Sequence, residues 1–297
     1  MKVIRTAFAH GLNDRYDMLK LGFPRYGVLV CAMIFCMTLI GCKSSWFLSD
    51  PMEGSKAGEV RSFGIAQGAD IDFRWIPAGE FMMGSPSDEL GRDNEETQNS
   101  VHIKEGFWMA EHETTVLTWL KIMDHQSSKT INVGNVAKKP VVYISWYDCQ
   151  EFLRRLKPPE PGWKYELPCE EQWEYACRAG STSAYARSAA ELGWIAANSG
   201  GHCHAVGTKT SNAWGLYDMH GNVAEWCRNL ADSSKSEIAI RGGSWDSDFN
   251  SRAAAKNSDT PLLRINSVGF RLVLVREKSL TTPTAPTAFQ ITQSHMP

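Results

Sequence analysis

The residues best able to do chemistry lie in three short stretches of the C-terminal half: Gly215 to Trp226, Arg241-Gly242-Gly243-Ser244-Trp245, and Val268-Gly269-Phe270-Arg271. They concentrate Gly, Trp, Asn and carboxylates with neither a helical nor a strand period. Such stretches form loops whose geometry matters more than their propensity, and ordered loops are where binding and catalytic groups gather. They predict a loop-rich domain with a site on it.

The thiols and imidazoles are less organised. Of eight cysteines, Cys149, Cys169, Cys177, Cys203 and Cys227 fall in the body of the chain, an odd number that leaves one unpaired. No CxxC spacing supports zinc. In His202-Cys203-His204, adjacent residues on an extended chain point to alternating sides, so the triplet reads as loop polarity rather than a metal site. His102, His112, His202, His204 and His220 are too scattered to nominate the two-His, one-carboxylate set of an iron site. Cys169 precedes a helical pattern. A helix N-terminus lowers a thiol pKa, but Glu170 and Glu171 oppose that, so Cys169 reads as structural. Cys177 and Cys227 can pair in an oxidising compartment, though sequence does not fix the connectivity.

The elements that must position these groups are sparse. Three helices are legible: Thr114 or Thr115 through Met123, Ser145 (with Asp148 three residues on) through Leu156, and about Glu170 through Arg178, closed by Gly180. Phe73 to Ile76, Val101 to Ile103, Phe107 to Met109 and Phe270 to Val275 read as brief strands. Between Gly180 and Val268 long irregular connections dominate, as expected only of loops that are functional or pinned.

The chain has 297 residues, a formal net charge of -2 and 43% apolar residues, which gives no electrostatic case for nucleic acid. Arg5, Arg15, Lys20 and Arg25 precede an uncharged apolar run from Gly27 to Ile40, too short for the ~20 residues of a membrane span but suited to a signal peptide. The run ends in Leu39-Ile40-Gly41-Cys42, which resembles a bacterial lipobox and makes Cys42 the candidate lipidation residue. The predicted organisation is a signal peptide over 1–41, a tether over 42–68, one domain over 69–276, and a disordered Thr/Pro-rich tail over 277–297. Localisation is then the cell envelope, lipid-anchored, on a periplasmic or extracellular face.

Six ordered blocks resemble the formylglycine-generating enzyme, or sulfatase-modifying factor, family. They are Trp75 to Ser85; Pro140-Val141-Val142 with Ser145-Trp146; Leu167-Pro168 with Glu171 to Ala176; and the three opening stretches. The resemblance implies an α+β fold, a variation on the C-type lectin fold with little regular secondary structure. It implies structural calcium at Asp218, Gly221, Val223 and Glu225, two carboxylates and two backbone carbonyls forming a hard oxygen set. A second family calcium position, near Asn198 and Ser199, lacks its downstream partners here.

The family's oxidase chemistry depends on two cysteines shortly after Gly-Gly-Ser, which hold Cu(I) as soft thiolates and allow a substrate cysteine to become formylglycine. In this chain that stretch is Asp246 to Arg252, and no cysteine occurs after Cys227. Ser and Asp are hard ligands, which argues against copper. Ser244, Trp245 and Arg271, with Asp246, Asp248, Arg252 and Arg264 nearby, are the pocket candidates; alternatively, Arg271 pairs with a buried carboxylate. The expected function is a calcium-stabilised binding or accessory module for a peptide, glycan or protein ligand. The alternative is an oxidoreductase of the same family acting on a protein substrate, by formylglycine generation or iron-dependent oxygenation.

Overall fold

Period-two alternation builds the main sheet. In a computed structural model that describes residues 50–66, 68–123, 134–230 and 236–277, β2 (Ala69–Ile76) buries Ala69, Ile71 and Phe73 and exposes Asp70 and Asp72. The same alternation buries Phe63 and Ile65 of β1 (Val60–Ala66). With β5 (Phe107–Ala110), β6 (Trp163–Glu166) and β11 (Val273–Arg276) they form a five-stranded sheet, order β1-β2-β5-β11-β6, antiparallel at every step. A separate hairpin pairs β3 (Gly79–Met83) with β4 (Asn99–Ile103).

Residues 50–66, expected to be tether, belong to the folded unit. Besides β1, Met52 is buried, and its carbonyl accepts the indole N–H of Trp108 at 2.7 Å. Trp108 needs that partner because it is fully buried, packed edge-on to Phe63 and beside Trp75. The expected boundary near Ala69 marks where motif resemblance begins, not where the core does. Residues 1–49, with Cys42 and the expected signal peptide, and the tail from 278 lie outside the described residues.

The helices match their sequence signals. Helix α1 (Val116–Met123) packs Trp119 flat on Phe152 of α2 (Trp146–Arg155), and Phe270 closes the aromatic group edge-on. Ser145 caps α2 in a reciprocal box with Asp148. Helix α3 (Glu170–Arg178) has Cys169 at its N-cap and ends at Ala179 in the left-handed region, with Gly180 following in the same region. A short α4 covers Ala189–Leu192.

The region expected to be mostly loop contains a second sheet, β10-β7-β8-β9. Its strands are β7 (Ala224–Leu230), β8 (Ile238–Arg241), β9 (Lys256–Asp259) and β10 (Val268–Gly269), the last parallel to β7. Glu225, Trp226 and Cys227 are all fully buried, as are all four residues of β8. A strand covered on both faces shows no alternation, so it gave no period-two signal.

A chain that begins at Ala69 is expected to lose its cooperative thermal transition, because it lacks β1 and the cap on Trp108; one that begins at Asp50 is expected to keep it. A cooperative melt from the shorter chain would show that β1 is dispensable.

Candidate functional site

The conspicuous motif is a tight turn running into a buried strand. Asp218, Gly221 and Asn222 have φ of 55°, 99° and 59°. Asp and Asn tolerate the left-handed region, but at Gly221 a Cβ would also lie 2.2 Å from the Trp194 carbonyl oxygen. The turn delivers Asn222 inward, where one residue holds four segments. Its side-chain amide donates to Glu113 at 3.0 Å and its side-chain oxygen accepts the His204 N–H at 2.9 Å. Its own N–H donates to Trp194, and its carbonyl accepts from Trp245.

Three positions on, Glu225 meets Arg271. Nε of Arg271 donates to Oε2 at 2.7 Å and Nη2 to Oε1 at 2.6 Å, while the Trp173 indole donates to Oε2 at 2.6 Å. Arg271 also reaches the carbonyls of Ala110, Glu111 and Tyr217. Arg271 and Glu225 are both fully buried. A planar guanidinium can satisfy a carboxylate bidentately and still bond backbone carbonyls, so the pair tolerates burial.

Two further carboxyls lie in the same interior without such a partner. Glu113 and Asp218 are buried; Asp218 Oδ2 accepts the Gly207 N–H at 2.7 Å, but among the described residues Glu113 Oε2 and Asp218 Oδ1 have no partner beyond the contact between the two carboxyls themselves. Desolvation, then the charge of Asp218, pushes the Glu113 pKa well up. Desolvation raises Asp218 to about 6, opposed by the Gly207 hydrogen bond and by Arg271. These are two like charges in one dry site, where at most one ionises easily.

This geometry redistributes the calcium expectation. The four-residue set does not fit a cation as a set, because both oxygens of Glu225 are held by Arg271 and Trp173. Asp218 does fit, through its otherwise unpartnered Oδ1, and the neighbouring carboxyl oxygen in the same state belongs to Glu113. Gly221 and Val223 remain beside Asp218 on the turn, with Val223 fully buried. Among the described residues no group of three or more His, Cys, Asp or Glu side chains is placed to hold a metal ion.

The pocket candidates do not converge. Arg271 takes its structural reading, with no solvent-facing surface. Ser244 is buried and donates to Asp246 at 2.5 Å, and the Trp245 indole donates to the Asn266 carbonyl at 3.3 Å. Arg252 clamps Glu96 through two hydrogen bonds of 2.7 and 2.8 Å and also meets Glu89. Arg264 instead pairs with Asp148. What faces solvent is the loop itself: half-buried Trp245 with exposed Asp246, Asp248 and Phe249.

All five described cysteines are free. Cys177, considered for pairing with Cys227, instead faces His220, with Sγ 3.5 Å from Nε2. Nδ1 of His220 lies 2.7 Å from the Ser251 carbonyl and must therefore carry the proton, which leaves Nε2 to accept from the thiol. Burial lowers His220 to about 4 and raises Cys177 to about 12, so this is a neutral, inert pair. Cys169 is raised to about 12 by burial and by Glu171, as expected of a structural thiol. His204 stacks on Trp194 with His202 tilted against it, and their ring nitrogens bond the Ser199 and Cys203 carbonyls respectively.

Glu113 and Asn222 are the site residues that sequence reasoning missed. Glu113 stands in a polar run before α1 with nothing local to distinguish it from a solvated glutamate, since its partner is 109 positions away.

Two outcomes follow from this interior. Glu225→Gln, which leaves Arg271 buried without its counter-charge, is expected to cost about 3–5 kcal/mol in urea unfolding, whereas an exposed-pair variant such as Glu151→Gln is expected to leave the urea midpoint nearly unmoved; equal shifts would remove the pair from its central position. Asp218 has a folded pKa above its unfolded value, so between about pH 4 and 6 the native state holds more protons and stability falls as pH rises. Asp218→Asn, which keeps the acceptor for Gly207, is therefore expected in calcium-free buffer to match the wild type below pH 4. It should exceed the wild type by on the order of 2 kcal/mol above pH 6. A difference independent of pH would contradict the raised pKa.

The domain match and the fold agree. A family profile described as the sulfatase-modifying factor enzyme 1-like domain covers residues 67–276. The chain is 30% identical over 169 residues to a formylglycine-generating enzyme of Streptomyces coelicolor, covering 44% of this chain and 51% of that protein. It is 28% identical over 156 residues to the inactive C-alpha-formylglycine-generating enzyme 2 of Bos taurus, covering 44% and 49%. The chain thus spans about half the length of these curated relatives. The solved structure of PvdO from Pseudomonas aeruginosa superposes with a TM-score of 0.63 at 24% identity, over 75% of this chain and all of that one. That likeness shows the fold: mixed helix and strand, C-type lectin-like, with little regular secondary structure. With the profile spanning most of the chain, the protein belongs to the sulfatase-modifying factor enzyme 1-like domain family.

Proposed function

We propose that this chain is a binding or accessory module on the formylglycine-generating scaffold, exported and tethered to the envelope through Cys42. The observation that carries the reading is what fills the stretch after Ser244. Ser247 hydrogen-bonds Ser244, Ser251 offers its carbonyl to His220, and Arg252 is consumed by Glu89 and Glu96. A soft Cu(I) ion needs thiolates there, and the stretch supplies hydroxyls, carboxylates and a guanidinium. Elsewhere Cys149, Cys177 and Cys227 are fully buried with raised pKa values, so none substitutes as an accessible thiolate.

The loop carrying Trp245, Asp246, Asp248 and Phe249 is the surface offered to a peptide, glycan or protein ligand, since it combines aromatic area with acceptors on a fixed support. Calcium carries over in altered form: Asp218, with Glu113 in place of Glu225, would hold a cation that relieves the repulsion between two buried carboxyls. Its contribution there is stability, not turnover.

Incubating the full chain with Cu(I), O2 and a sulfatase-derived cysteine peptide is expected to yield no formylglycine by mass spectrometry. Calcium is expected to raise the melting temperature of the wild type and to leave Asp218→Asn unmoved, with EDTA reversing the shift. Formylglycine formation, or stoichiometric copper or iron in the purified protein, would instead support an oxidoreductase.

A further inference from the structure

The loop between β3 and β4 and the stretch after Ser244 are joined by one buried clamp. Arg252 reaches across: Nη1 donates to Glu89 at 2.5 Å and to Glu96 at 2.8 Å, and Nη2 donates to Glu96 at 2.7 Å and to the Gly91 carbonyl at 2.5 Å. Ser85 holds Glu96 as well, its Oγ donating to Oε2 at 2.7 Å. Beyond the clamp the loops touch directly. Gly91, at φ 77°, lies so close to Phe249 that a Cβ there would stand 2.6 Å from the Phe249 Cβ. The second loop also closes on itself, with Ser251 Oγ donating to the Asp248 carbonyl at 2.8 Å. Two loops fixed to each other in this way present a single, ordered surface.

The composition of that surface calls for a partner. Leu90, the residue next to Gly91, is 74% exposed, and Phe249 is 51% exposed. Single exposed apolar side chains mean little, but a leucine and a phenylalanine brought to one place by a buried clamp mark a contact surface. The ion pairs of these loops are made elsewhere: Glu89 and Glu96 with Arg252, and Glu95 with Lys256. Asp88, Asp93, Asp246 and Asp248 are all exposed, and among the described residues none of them forms an ion pair. Ser244 Oγ donates to Asp246 at 2.5 Å and the Glu95 N–H to Asp93 at 3.1 Å, which fixes two of the carboxylates in place. The remaining cation of the two loops, Arg92, is half-buried with Nε on the Ser85 carbonyl at 3.4 Å. The surface is therefore an apolar centre inside an excess of negative charge.

We propose that Leu90 and Phe249 are the centre of a docking surface for a protein segment that presents an apolar side chain between lysines or arginines. This rests on the binding-module reading and deepens it, by adding the β3–β4 loop to the surface and naming the chemistry of the partner. The exposed leucine and phenylalanine cover the apolar side chain, and the aspartates around them pair with the flanking cations. Half-buried Trp245, at the start of the same loop, offers a ring face to one of those cations. Charge makes the choice among ligands. An acidic segment is repelled, and a neutral glycan leaves the aspartates uncompensated, whereas a basic segment is steered in and held. Because the clamp orders both loops before the partner arrives, little ordering remains to be done on binding.

The test titrates the full chain, with ring-labelled phenylalanine followed by NMR, against three probes: Ac-Lys-Ala-Leu-Ala-Lys-NH2, Ac-Glu-Ala-Leu-Ala-Glu-NH2 and the disaccharide cellobiose. The Phe249 signal, assigned from its loss in Phe249→Leu, is expected to shift saturably with the Lys peptide and about tenfold more weakly with the Glu peptide. The Lys-peptide Kd is expected to rise about tenfold when salt goes from about 50 to about 500 mM, since the charges involved are exposed. Leu90→Ser and the pair Asp246→Asn with Asp248→Asn are each expected to raise that Kd about fivefold and to leave the urea midpoint unmoved, because these side chains are exposed. If the Lys and Glu peptides shift the signal equally, or cellobiose shifts it and the Lys peptide does not, the basic partner is overturned. If the Lys peptide binds without moving Phe249, or binds these variants as well as the wild type, the surface is overturned while the binding-module reading stands. A Phe249 signal that moves with protein concentration alone would place a second copy there, and one that no probe moves would end the proposal. Formylglycine formation in the Cu(I) assay would instead remove the reading on which the proposal rests.

Discussion

One ion pair sets the terms for the rest of the molecule. Glu225 belongs to a strand of the second sheet, while Arg271 precedes the strand that lies inside the first. Their bidentate contact, with Trp173 of α3 donating to the same carboxylate, joins two sheets and a helix at one dry point. Arg241 repeats the device against Glu174 at 2.5 Å, and Arg252 repeats it against Glu96. Each guanidinium also bonds backbone carbonyls: Tyr217, Ala253 and Gly91 respectively. A domain with few regular elements leaves many carbonyls outside helix and sheet ladders, and buried arginines satisfy them while their carboxylate partners cancel the charge.

That arrangement explains how the family framework can persist independently of what fills the stretch after Ser244. The framework's requirements are internal: a left-handed turn, an inward Asn222, a carboxylate for Arg271. The side chains of Asp246 to Arg252 take no part in those contacts, so substitutions there leave them untouched. Arg252 shows the independence well, since its two glutamates come from the loop between β3 and β4 and owe nothing to a metal.

What the sequence reveals tracks how local the cause is. The cap of α2 is legible because Ser145 and Asp148 are three residues apart, and the second half of β2 because Phe73 to Ile76 is a compact apolar run, whereas its alternating first half, Ala69 to Asp72, does not read as strand. The second sheet is not legible, since β7 and β8 are buried on both faces and carry polar residues whose partners are distant. Of the motif interior, Asp218 and Glu225 stand out as carboxylates in an unusual loop, yet nothing near them tells which one faces an arginine. Glu113 is invisible for the same reason. The family resemblance supplies the scaffold at once, but it does not reveal that Arg271 and Trp173 hold both oxygens of Glu225.

The latch formed by residues 50–58 has a mechanical side. Any tension on the N-terminal segment reaches the domain first at Asp50, whose carboxylate meets the Trp163 indole and Arg276, then at the Met52 carbonyl on Trp108, and then at Gly58, whose N–H donates to Trp75 at 2.9 Å. Only behind these does β1 begin, as an edge strand whose bonds to β2 would peel one at a time under such a pull. The latch distributes load over three core tryptophans before the sheet feels it. The described domain is thereby built to resist unzipping from its N-terminal end.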